Sequence, residues 1–354
     1  MLPARINLRI SSEVSRASAV RVELRAGVGP ITVETGGRDR KWTFLAWGGA
    51  ACALLALLAP ASPAATKADG PDRNSWTIGV LVGPSPFALA TPPGIVNPVL
   101  TGADVTDLPV DTIAHPFMVV EAGRYHLFFT AKDARTDTGG IALAESADGF
   151  RWKFRKTVVR EAYVLSHPCV FQWQGDHYLV PEAHTETSVR LYKATRFPED
   201  WQFECSLLEG GKFISPTLVH YRDLWWMFVS PPGNQTLRLY FSPGLKGTWR
   251  EHPLSPIVAN EAHSARPGGR PLLLEGKLYR LAQDCLPTYG AQVRAFEILE
   301  MSPTEYREKL VDPPLIRKDP EGGWNRAAMH HVDAHRLADG RWLAAVDALG
   351  RAAK

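Results

Sequence analysis

Cysteine is scarce, with four residues in a chain of 354, and Cys52, Cys169, Cys205 and Cys285 form no C-x-x-C pair. That spacing excludes zinc held by thiolates. It leaves the three later cysteines as small buried hydrophobes with at most one bridge among them. A dominant charge is also missing, since 40 Lys and Arg face 37 Asp and Glu. Without a long basic run or an arginine-aromatic interleaving, nucleic acid is excluded as a partner. The chain has one long hydrophobic run, near its N-terminus. The remainder, in a sequence that is 45% hydrophobic, is apolar in short stretches that can bury a large core.

Residues 1–41 are polar and rich in Arg, Ser and Gly, with little periodicity, and end in the basic stretch Arg38-Asp39-Arg40-Lys41. A disordered basic extension is expected there. The apolar run starts at Trp42, passes through the Ala-Leu-Leu-Ala-Leu-Leu of residues 53–58, and closes at Pro60 before Ala61-Ser62-Pro63-Ala64-Ala65. A positive flank, an apolar segment and an A-x-A-like site are the signature of export. Residues 42–65 therefore read as a signal peptide cut after Ala64 or Ala65, or as a membrane anchor. The basic region exceeds a usual signal peptide, so either the true start lies downstream or the segment is retained. An apolar length near the ~18-residue lower limit for spanning suits both. Either way the protein is expected outside the cytoplasm, whether secreted, periplasmic or at the cell surface, with membrane association through residues 42–59.

Beyond this leader a phrase recurs: a residue before proline, an apolar strand, a turn with Gly or Asp, then a second strand rich in aromatics. Its copies run from His115-Pro116 to Thr130, His167-Pro168 to Glu182, Ser215-Pro216 to Ser230, Arg266-Pro267 to Asp284, and His330-His331 to Asp347. Gly123, Gly175, Asp223, Gly276 and Gly340 mark the turns of these hairpins. Each of the first four is followed by another apolar strand and a turn with an aromatic, including Trp152, Trp201 and Trp249. Four strands per unit at a period of roughly fifty residues describe propeller blades. The fifth copy runs out of chain before its outer strands, and Trp76–Val82 and its successors have the missing pattern. The expected fold is all-β: a five-bladed β-propeller over residues 76–350, its last blade completed by the N-terminal strands, which removes an exposed sheet edge.

In an antiparallel hairpin the start of the first strand lies beside the end of the second. The strand starts His115, His167, Ser215, Arg266 and His331 should therefore meet the strand ends Thr130, Glu182, Ser230, Asp284 and Asp347 around the axis. Carboxylates entering a central funnel are costly unless paired or solvated. Two such acids, Glu182 and Asp284, suit glycoside cleavage as acid and nucleophile or base at ~5–9 Å separation, with Asp333 or Asp347 tuning them. Arg266 and Arg270 suit a carboxylate or phosphate, and Trp173, Trp225, Tyr289 and Trp324 suit stacking on sugar rings. Trp152, Trp201 and Trp249 read as packing residues. Imidazoles from separate blades invite a metal, but His330-His331-x-Asp333 lacks zinc-type helical spacing, so hydrogen bonding is its expected role. No metal and no cofactor is assigned.

Ala114-His115-Pro116-Phe117, Leu165-Ser166-His167-Pro168, Pro181-Glu182, Phe197-Pro198-x-x-Trp201, Ala265-Arg266-Pro267-Gly268-Gly269-Arg270, Gln283-Asp284, Tyr289-Gly290 and His330-His331-x-Asp333 together resemble the N-terminal propeller domain of the glucosamine inositolphosphorylceramide transferase family. The resemblance runs from about Trp76 to Gly350. It implies a propeller similar to invertase- and arabinanase-type glycosidases. It also marks three departures: the family usually has Asp before the first proline, Glu ending the first hairpin and Asp near the third. Here those positions hold His115, Thr130 and Ser215. The glycosyltransferase domain that follows the propeller in the full transferases has no counterpart before Lys354, so transferase activity is not expected of this sequence.

The expected function is a carbohydrate-recognising extracytoplasmic module of glycoconjugate metabolism that takes a carbohydrate or glycolipid headgroup. Glu182, Arg266, Asp284 and Asp333 would contact it, assisted by His115, His167, Arg270, Tyr289, His330, His331 and Asp347. The alternative is a glycoside hydrolase or transglycosidase using Glu182, Asp284 and Asp333. A protein-interaction scaffold would instead present a large apolar patch.

Overall fold

The computed structural model describes residues 31–34, 41–44 and 75–350, apart from 137 and 184. Two compact units, Met1–Gly70 and Pro71–Lys354, divide the chain. In the first, Ile31–Glu34 pairs antiparallel with Lys41–Phe44. The rest of the expected basic extension and of the 42–65 export segment lies outside the described residues. Among the described residues no helix is long and apolar enough to cross a membrane.

The second unit is the five-bladed propeller. Blade 1 consists of Val110–Glu121, Arg124–Asp133, Gly139–Ser146 and Lys153–Arg160, in that order from the axis outward. Blade 2 follows with Ser166–Trp173, Asp176–Glu182, Ser188–Arg196 and Asp200–Glu209, and blade 3 with Ile214–Tyr221, Leu224–Ser230, Arg238–Ser242 and Arg250–Glu251. Blade 5 is composite. Val332–Arg336 and Trp342–Gly350 come from the C-terminal end, and Ser75–Ser85 and Ala88–Ala90 from the N-terminal side. Trp342 to Gly350 pair continuously with Gly83 to Ser75, so the ring closes as the repeat requires.

Blade 4 departs from the expected uninterrupted hairpin between Arg266 and Asp284. Its inner strand is split into Arg266–Pro267 and Leu272–Leu274, both pairing with Lys277–Asp284, before Gln292–Met301 and Tyr306–Arg317. At the break Gly269, with φ 148°, forms a parallel bridge to Val332 of blade 5. A Cβ there would sit 1.9 Å from the Val332 carbonyl oxygen. Glycine is needed because backbone meets backbone.

The core lies in layers between successive blades. Phe117, Phe128, Leu143, Leu179 and Trp225 share one layer, Ile78, Met118, Phe129 and Leu343 a second, and Leu281, Val293, Val332 and Val346 a third. Burying one such large side chain contributes about 1.5–3 kcal/mol. The repeated tryptophans are packing residues as read: the indoles of Trp152, Trp201 and Trp249 donate to Gly149 O, Pro198 O and Leu245 O of their own turns.

Candidate functional site

The residue before proline in the first three blades is unusual. His115, His167 and Ser215 have φ of 54°, 46° and 50°, a left-handed conformation that is strained for residues with a Cβ. Their strand pairings shift register at these points, around Ala114/Phe117, Val180/Glu182 and Ile214/Thr217. These are β-bulges, which turn the bulged residue out of the ladder. The proline that follows has no N–H for the bulge to leave unpaired. The bulges gather side chains from different blades at one place.

Four imidazoles meet there. His115 lies 4.8 Å from His330 with near-parallel rings, 5.7 Å from His167 and 5.8 Å from His331, and His167 lies 5.2 Å from His331. Phe117 packs edgewise on His167 and His331. Thr217 donates its hydroxyl to Ser215 O, so its oxygen accepts from His167 Nε2–H at 2.8 Å. His167 is thereby fixed as the Nε2–H tautomer. Among the described residues no partner reaches His115 Nε2, His167 Nδ1 or either nitrogen of His331. Burial, reinforced by neighbouring imidazoles, keeps His115 and His167 well below the ordinary histidine range. Burial also drives His331 down to about 4, against the pull of Asp347 and Asp333. These three rings are neutral at neutral pH.

Asp347 joins blades 5 and 1. It accepts from the backbone N–H of His115 at 2.9 Å and of His330 at 3.1 Å, and from His330 Nδ1 at 2.7 Å. Burial opposes its charge, but His330 and His115 prevail and hold the carboxyl below its usual range. Asp333 is likewise buried, and Arg270, aided by His335, holds it ionised. Arg270 reaches Asp333 at 2.7 and 3.1 Å and Met118 O at 3.2 Å, while Met118 N–H donates to Asp333. Arg270 and Asp333 therefore tie blades 4, 5 and 1 together.

Glu182 and Arg266 form a third group. Glu182 Oε2 accepts from Ser215 N–H at 2.8 Å, from Ser215 Oγ at 3.2 Å and from Arg266 at 3.4 Å. Arg266 also donates to Ser215 Oγ and to Asn234 Oδ1, and lies over the Tyr289 ring. Tyr289, 42% exposed, meets His330 edge-on at 5.4 Å. Trp76 stacks on the same imidazole at 3.9 Å. Asn234 and Trp76 were not singled out as site residues. The Pro-Pro-Gly-Asn loop leaving the blade-3 hairpin was the available signal for Asn234, whereas Trp76 is brought in only by ring closure.

Asp284 stands apart from Glu182 in its partners. One oxygen accepts from His263 Nδ1 and Leu286 N–H, the other from Gln292 and Arg294, all between 2.8 and 3.0 Å. Burial disfavours its charge, but these donors outweigh burial and lower its pKa. The expected sugar-stacking tryptophans are also engaged elsewhere. Trp225 is buried in the core against Trp173, and Trp324 lies over Gly79. Of that set, Tyr289 is the one joined to the axial histidines.

Residues 68–349 match the family model described as glucosamine inositolphosphorylceramide transferase 1, N-terminal. The chain is 36% identical over 300 residues to glucosamine inositolphosphorylceramide transferase 1 of Oryza sativa subsp. japonica, an alignment covering 78% of this chain and 40% of that protein. It is 34% identical over 301 residues to the protein of the same name from Arabidopsis thaliana, covering 78% and 39%. The chain thus spans about two-fifths of the length of these curated relatives. Among solved structures, a β-1,2-mannobiose phosphorylase from Listeria innocua superposes with a TM-score of 0.54 at 14% identity, over 71% of this chain and 94% of that one. At that identity the likeness concerns the fold.

Proposed function

The chain belongs to the glucosamine inositolphosphorylceramide transferase 1 N-terminal family, and from that premise we propose that its propeller recognises the sugar and phosphate portion of a glycolipid headgroup without cleaving it. One observation carries the reading. Asp284, Asp333 and Asp347 are each surrounded by donors that hold them ionised, and Glu182, the remaining candidate acid, accepts from Ser215 and Arg266, whereas cleavage of a glycosidic bond needs a carboxyl that keeps its proton near neutral pH. Asp284 and Asp333 act in this reading as positioning residues, and the ligand contacts fall to Arg266, Tyr289 and the neighbouring histidines.

Glu182, Ser215 and Asn234 orient Arg266 and engage it through Nε and one bond at each terminal nitrogen. A guanidinium carries five N–H donors, so each terminal nitrogen keeps one for an anionic oxygen. Tyr289 beside it offers an aromatic face and a hydroxyl. The relatives' name joins a sugar, glucosamine, to an inositolphosphoryl lipid, and a phosphodiester flanked by hydroxyls matches an arginine set beside an aromatic ring.

Calorimetric titration of the full chain with inositol 1-phosphate and with glucosamine tests this. Binding of at least one compound is expected, weakened about tenfold or more by Arg266→Gln or Tyr289→Ala. Failure of both compounds and of a glycan panel to bind, or affinity untouched by either substitution, overturns the reading. Turnover of aryl-glycosides that disappears in Glu182→Gln would establish a hydrolase instead. The proposed setting is extracytoplasmic, on the export signature of residues 42–65. N-terminal sequencing of the protein recovered from expressing cells should find a start at Ala65 or Thr66, or an uncut chain in the membrane pellet. An uncut chain in the cytosol would sink that placement.

A further inference from the structure

We propose that His115, His330 and Asp347 form a binding site for a divalent transition metal ion of the zinc class, where blades 1 and 5 meet at the propeller axis. One ligand atom from each residue lies within 4.8 Å of the other two. Metal–ligand bonds of ~2.0–2.1 Å place tetrahedral ligands about 3.3 Å apart, so an ion would replace the 2.7 Å hydrogen bond between His330 Nδ1 and Asp347, that pair opening slightly while His115 closes on it.

The donor set selects the class of ion. Two imidazoles and one carboxylate suit zinc, iron, nickel or copper, whereas calcium and magnesium ask for six or more oxygens. Charge favours binding as well. The Asp347 carboxylate is the anionic member of the set, beside two imidazole nitrogen donors.

The ligands are held in place beforehand. Asp347 is 0% exposed and is oriented by the backbone N–H groups of both histidines it would join. His330, 3% exposed, lies between the rings of Trp76 and His115. His115 is fixed through Nδ1 to Thr130 Oγ1 at 3.1 Å, and its Nε2 is buried with no partner among the described residues. A buried polar atom left unpaired costs free energy that a ligand bond would recover. Three protein ligands leave a fourth position open, as at catalytic zinc sites. Tyr289, edge-on to His330, borders the residue that would hold the ion, so a hydroxyl or phosphate oxygen of a bound sugar could complete the shell. The metal site itself stands whether or not the sugar reading does.

The test uses the full chain carrying no histidine tag, stripped with a chelator and titrated with cobalt(II) and zinc(II). One ion per chain is expected, with the visible absorption of low-coordinate cobalt and a rise in Tm that calcium and magnesium do not produce. His115→Asn, chosen because asparagine tolerates the left-handed backbone of this position, and His330→Gln should each weaken binding about tenfold or more. X-ray absorption on the zinc-loaded wild type decides the case even if a variant misfolds. Nitrogen and oxygen neighbours with imidazole outer-shell scattering support the site. An all-oxygen or sulfur shell, no binding in excess metal, or affinity unchanged by His115→Asn in a folded variant overturns it.

Discussion

Asp284 accepts from His263, Leu286 N–H, Gln292 and Arg294, whereas Glu182 is gripped by Ser215 and Arg266 beside Tyr289. Carboxylates at corresponding strand ends thus have two fates. Asp284→Ala leaves Arg294 and His263 without their acceptor in a site where the carboxylate is fully buried. Because Arg294 and His263 are partly exposed and can regain water, the loss should cost about 1–2 kcal/mol, read as a lowered urea midpoint, with ligand affinity of the folded variant retained. Loss of affinity at unchanged stability would show that Asp284 contacts the ligand after all. That both acids belong to the axial end of their blades was legible in the repeat. Which of them is enclosed by donors of its own blade was not, because His263, Gln292 and Arg294 lie outside the repeated phrase.

Between blades 1 and 2 the Phe197 ring is sandwiched by His177, stacked at 3.6 Å, and His126, edge-on at 5.1 Å. Burial lowers both histidine pKa values: at His126 it outweighs Glu145 and Glu121, with Arg124 adding to the lowering, and at His177 it outweighs Glu121 and Asp176, with His126 adding to the lowering. The unfolded chain titrates at the ordinary 6.5, so between that value and the lowered folded ones the unfolded state binds more protons. The stability these residues contribute is therefore complete above pH 6.5 and is lost as pH falls through 6.5 toward the folded values. The slope is at most about 1.4 kcal/mol per pH unit for each histidine. Urea midpoints at pH 7.5 and 5.5 should differ, and His177→Phe should flatten the difference. A midpoint that rises on acidification would contradict the account. The hairpins carrying these residues were readable from turn glycines and aromatic alternation. The split inner strand of blade 4 was not, because its cause, Gly269 resting against Val332 of the next blade, lies in a different sheet.

Ring closure governs the molecule as a whole. Ser75–Ser85 covers the edge of Trp342–Gly350 along its full length, and Ile78 and Val80 enter the layer shared with blade 1. A chain begun at residue 91 would leave that edge unpaired and its apolar face open. It should lose cooperative unfolding and associate through the exposed strand, visible as early elution from a sizing column and increased dye binding. A monomeric, cooperatively folded truncation would mean that the N-terminal strands only decorate the ring.

By itself the sequence determined the all-β class, the five hairpin-centred repeats, the borrowed strands of the last blade and the family. These depend on turn chemistry, alternation and spacing, which act between neighbours along the chain. Tertiary structure alone decided which acids are ringed by donors, which imidazole nitrogens stay unpaired among the described residues, and which aromatic ring stands beside the axial histidines. The deciding contacts join residues such as Met118 to Asp333 and His115 to Asp347, 215 and 232 positions apart. A side chain's protonation and availability follow from the donors and the burial around it, and in a closed ring these come from blades that meet only when the first and last strands pair.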